Sequence, residues 1–95
     1  MFIKLSSAGA ATLEESDNFK AFKVVSEVAP EHAAAALGGA GKIDGEHAWI
    51  EPAWLRQSGP DDAAWRAGLE KMLEYAGKSG WVNGAGAVRA HIEWL

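Results

Sequence analysis

The chain has 95 residues, 48% of them hydrophobic and 23% charged, with a net charge of −4 and no cysteine. These values describe one globular domain, long enough to bury about 60–65% of its unfolded surface without metal or disulfide staples. The lack of thiols excludes disulfide frameworks, thiolate zinc sites, iron–sulfur clusters and cysteine nucleophiles. The acidic balance argues against nucleic acid, which calls for a basic patch, whereas here only Lys20 and Lys23 approach a cluster.

Phe2 to Leu5 reads as a short strand, followed by a loop of small residues. This start lacks the basic and long apolar regions of a signal peptide, and no apolar run approaches the ~20 residues a bilayer requires. The expectation is a cytoplasmic domain that does not engage membranes. Thr12 with Glu15 forms a capping-box pattern, which places a helix start at Leu13. Between Lys20 and Ala29, Ala21, Phe22, Val24, Val25 and Val28 gather on one side of a helical wheel, with Phe19 as the misfit. Helix is the favoured reading. The β-branched pair Val24-Val25 keeps a strand at 19–25 as the alternative.

Pro30 suits the first position of a new helix, the alanine-rich run to Leu37 extends it, and Gly38-Gly39 stops it. Lys42 to Ile50 reads as extended, with Asp44-Gly45 as a tight turn inside it. Pro52 begins a short helical turn through Gln57, closed by Ser58-Gly59-Pro60. From Pro60 to Ala76, Trp65, Leu69, Met72 and Ala76 recur at helical spacing, and Asp61 and Asp62 fall in the first turn. Gly68 on the same face allows a close neighbour. Val88, Ala90, Ile92 and Trp94 alternate with Arg89, His91 and Glu93, the pattern of a strand with one buried face. Trp81-Val82 and the turn signal Asn83-Gly84 add a hairpin of 80–82 against 87–94. The fold class is therefore α+β: two or three helices packed on one face of a small, largely antiparallel sheet.

Candidate chemistry is sparse. His91 and Glu93 share a strand face, and a metal site would require His47 to lie beside them. Arg89 on the same face repels a cation, so a solvated polar row is expected and no metal. Among the five tryptophans, Trp65 and Trp94 fall on core faces, while Trp49, Trp54 and Trp81 sit in or beside turns, where a ring can line a pocket. Gly80, Gly84 and Gly86 precede a strand rather than a helix, so turn geometry accounts for them better than phosphate binding. The serines lack the elbow context of a hydrolase. The pairs Glu14-Glu15 and Asp61-Asp62 do not converge as dyads, because neighbours on a helix point about 100° apart.

The sequence thus points to a non-catalytic domain without a cofactor, pairing with itself as a homodimer or with another protein. The terminal strand ending in Trp94-Leu95 is the expected edge or seam. The alternative is a small-molecule site or modest enzyme, lined by Trp49 and Trp81 with His47, Arg89 and His91 as polar contacts and histidine as the acid–base group.

Overall fold

Apolar side chains at every second position draw a chain into extended structure that can bury one side. In the computed structural model, which describes residues 1–95, six segments do this: β1 (Phe2–Leu5), β2 (Ala11–Glu14), β3 (Lys23–Ser26), β4 (Gly41–Asp44), β5 (His47–Ile50) and β6 (Val88–Trp94). They join in one sheet in the order β2-β1-β3-β6-β5-β4. The helices are α1 (Pro30–Leu37), extended by a 3-10 turn at Gly38–Ala40, α2 (Pro52–Ser58) and α3 (Ala63–Lys78).

One apolar cluster holds the two layers together. It joins Ile3, Leu5, Val24, Ala48, Ile50, Ala90 and Ile92 of the sheet to Ala33, Ala36 and Leu37 of α1, Leu55 of α2, and Trp65 and Leu69 of α3. Strand alternation places all those sheet residues on one face, so all three helices cover that face and leave the other bare. No helix is long and apolar enough to cross a membrane.

The α+β class stands, but the sheet is mixed. Its three central strands, β1, β3 and β6, run parallel, and antiparallel partners flank them: β2 beside β1, and the β5–β4 hairpin beside β6. Segments 11–14 and 23–26 both depart from the helical reading: the first adds an antiparallel outer strand and the second supplies the middle strand of the parallel centre. Residues 11–14 pair back on β1, with Leu13 opposite Ile3, so hairpin pairing overrides the capping pattern at Thr12. Residues 23–26 fill the slot between β1 and β6, where Val24 and Ser26 are buried and Val25 turns to the bare face. The alternative reading of 19–25 as a strand is the nearer one. The Ser26 hydroxyl is tolerated there because it donates to the Val28 carbonyl (2.8 Å) and accepts from the Val28 amide (3.2 Å).

Local signals elsewhere agree with the structure. Pro30 and Pro52 occupy the first turns of α1 and α2, and Asp62 caps α3 by accepting the Trp65 amide at 2.9 Å. The β4–β5 turn is Gly45-Glu46, with Gly45 at φ 62°, the left-handed geometry a two-residue hairpin asks of its first residue. Gly68 admits the Phe19 ring against α3. The hairpin expected at 80–82 shrinks to a single bridge, Val82 to Val88, with the Arg89 amide donating to the Trp81 carbonyl at 2.8 Å. The terminal strand is not an edge: β6 is paired on both sides, by β3 and β5, and the outer strands are β2 and β4. Its backbone groups are consumed within the sheet, so it offers no seam for strand addition.

Candidate functional site

The pairing registers align one residue from each strand in a continuous row across the bare face: Glu14, Phe2, Lys23, His91, His47 and Asp44. At its centre His47 and His91 are direct cross-strand partners, with ring centroids 5.9 Å apart and planes at 72°. The next antiparallel pair along β5 and β6 is Trp49 with Arg89. Polar contacts tie the row to its neighbours on the same face: Lys23 Nζ donates to Glu93 Oε2 at 3.1 Å, and Trp49 Nε1 donates to Asp44 Oδ2 at 3.1 Å.

Four of the five residues singled out in the sequence, His47, Trp49, Arg89 and His91, therefore meet on one patch of this face. They meet because β5 lies beside β6, a neighbour relation that alternation within either strand does not reveal. Trp81, the fifth, stands just off the patch, joined to it through the Arg89 amide. The two histidines have no third partner of the right kind, since no three His, Asp, Glu or Cys side chains converge to hold a metal ion. Of the other tryptophans, Trp65 is buried in the core, and Trp54 and Trp94 pack against it partly covered.

A single groove lies beside the patch, with a volume of about 370 Å³. It opens where β6 changes partners: β3 begins opposite His91, and the earlier residues Val88 and Arg89 face Trp81-Val82 instead. Phe19, Phe22, Met72, Tyr75 and Trp81 line it, with Lys20 and Arg89 as its charged residues. Sequence reasoning did not assemble this group. Two hints were present: Phe19 fell off the helical wheel, and Tyr75 lies outside the apolar stripe of α3.

The fold and its site define a two-layer α+β domain with one uncovered, polar-and-aromatic sheet face. No family model, no curated protein and no solved structure matches the chain.

Proposed function

We propose that this is a non-catalytic, cytoplasmic domain that pairs with a second copy of itself through the bare face of its sheet. The observation that carries the reading is the charge on that face. It bears four of the nine basic side chains (Lys4, Lys23, Lys42, Arg89) and four of the thirteen carboxylates (Glu14, Asp44, Glu93, and Glu27, which pairs with Lys4). The rest of the chain holds five basic and nine acidic groups. Two copies of an acidic chain repel one another everywhere except where charge is nearly balanced. A two-fold interface also brings one patch against itself, which requires both signs or neither.

The face supplies apolar contact as well, from the half-buried Phe2, Val25 and Trp49. Six strands at ~4.8 Å spacing span roughly 25–30 Å, comparable to the molecule's longer extents of 35 and 27 Å. A face of that size can supply the ~800 Å² that each partner gives to a standard interface.

Sedimentation equilibrium across a micromolar concentration series tests the proposal. The wild-type chain should sediment as a dimer, and Trp49→Glu and Lys23→Glu should sediment as monomers with unchanged circular dichroism. A monomeric wild type, or a dimer indifferent to both substitutions, overturns it.

A further inference from the structure

We infer that the groove between residues 19–22, α3 and Trp81 is a binding site for a small apolar carboxylate, an acid with an aromatic or branched aliphatic body. Its volume, about 370 Å³, falls within the range of small-molecule sites. Four aromatic rings, Phe19, Phe22, Tyr75 and Trp81, line this one concavity of a chain that has nine. Two of them are left in water at a cost. Tyr75 is 64% and Trp81 41% exposed, and with Leu95 they are the only large hydrophobic side chains so exposed. Their rings meet edge-to-face with centroids 5.8 Å apart, which gives the groove an aromatic wall. Exposed apolar surface gathered around a concavity, rather than scattered, marks a place that something apolar covers.

The charged lining specifies the other end of the ligand. Lys20 and Arg89 are the only ionisable lining groups apart from the Tyr75 phenol, and no acidic residue lines the groove of this acidic protein. Every ion pair in the molecule lies elsewhere, at Lys4–Glu27, Lys23–Glu93, Arg56–Glu70, Arg66–Asp61 and Lys78–Glu74. Lys20 and Arg89 are thus cations without a carboxylate partner, beside an apolar cleft. A guanidinium receives a carboxylate through two parallel N–H donors, and the surrounding rings take the ligand's body out of water.

The test is a titration of the ¹⁵N-labelled chain with 1-naphthoate, its neutral analogue 1-naphthylmethanol and its cationic analogue 1-naphthylmethylammonium, followed by amide chemical shifts. Naphthoate should bind saturably, with the largest shifts at Phe19, Trp81, Val88 and Arg89, and about tenfold more tightly than the alcohol. Arg89→Gln should raise the naphthoate Kd about tenfold, and Lys20→Gln combined with Arg89→Gln should erase the preference for acid over alcohol. Tyr75→Ala, at an exposed helix position that leaves the fold intact, should weaken all three probes together. Equal affinity for acid and alcohol, no saturable binding at millimolar naphthoate, or shifts confined to the His47–His91 patch overturns the inference. Shifts at the groove residues that follow protein concentration instead of ligand would assign the groove to a second copy and overturn it too.

Discussion

The indole nitrogen of Trp65 donates to the backbone carbonyl of Ser16 across 2.6 Å, tying α3 to the loop that follows β2. The ring belongs to the apolar core, packed beside Phe19 with centroids 6.2 Å apart, so the contact joins two regions 49 residues apart in sequence. Trp65→Phe keeps an apolar ring but strands the Ser16 carbonyl at a partly buried site. The expected loss is about 1–3 kcal/mol, read as a lower midpoint in urea unfolding with an unchanged slope.

The same ring sets the size limit at Gly59. A Cβ built there would overlap Trp65 Cη2, and the Ser16 hydrogen bond stops the indole from sliding away. Gly59 has an ordinary negative φ of −86°, so the objection to a side chain is steric, not conformational. Gly59→Ala should cost about 1–3 kcal/mol by the same measurement. Pairing it with Trp65→Phe, whose smaller ring clears the space, should recover part of that loss in a double-mutant cycle.

Ser26 is the one fully buried polar side chain, and its hydroxyl satisfies both backbone groups of Val28. Ser26→Ala leaves those groups without that partner where β3 gives way to the approach to α1. The cost should be about 1–2 kcal/mol, and amide exchange at Val28 should accelerate more than exchange at Val24.

The Arg56–Glu70 pair bridges α2 and α3 through two donors at 2.8 and 2.9 Å. The hydrogen bond from Arg56 holds the Glu70 carboxyl below the usual glutamate value. A depressed carboxyl stabilises the fold above its unfolded pKa, and that contribution disappears as pH falls through the folded value. Both side chains are about half exposed (48% and 51%), so the pair is worth only about 0.5 kcal/mol. Arg56→Gln should therefore be less stable than wild type by that amount at neutral pH and equal to it in acid, below the folded pKa of Glu70. Chemical denaturation at the two pH values checks this.

Most elements were legible because their signals are local. Alternation in 88–94, helical spacing from Trp65 to Ala76, proline at Pro30 and Pro52, and a turn signal at Asp44-Gly45, one residue before the actual Gly45-Glu46 turn, each speak through residues within a few positions of one another. The misreadings fell where helical patterns compete with strand pairing. Thr12 and Glu15 satisfy a capping pattern, yet Leu13 gains more by lying opposite Ile3 in the sheet. Val24 and Val25 sit together on a helical wheel, yet the space between β1 and β6 accepts a strand and sends them to opposite faces.

The candidate site divides in the same way. His47, Trp49, Arg89 and His91 were identifiable as residue types on strand faces, but that His47 lies opposite His91 and Trp49 opposite Arg89 is a matter of strand neighbours. The groove was less legible still, because Phe19, Lys20, Tyr75 and Arg89 come from three separate stretches of the chain.

The sequence by itself determined the class of domain, the absence of thiol chemistry, the bounds of α1, α2 and α3 to within a few residues, and the buried face of β6. Periodic burial and turn chemistry act over a handful of residues and leave their mark in order along the chain. Only the tertiary structure decided that β6 lies at the centre of the sheet, that the core strands are parallel, that one face stays bare and that a groove opens beside Trp81. Those features depend on which backbone edges find each other, and a strand's hydrogen-bonding edge is nearly the same whatever side chains it carries.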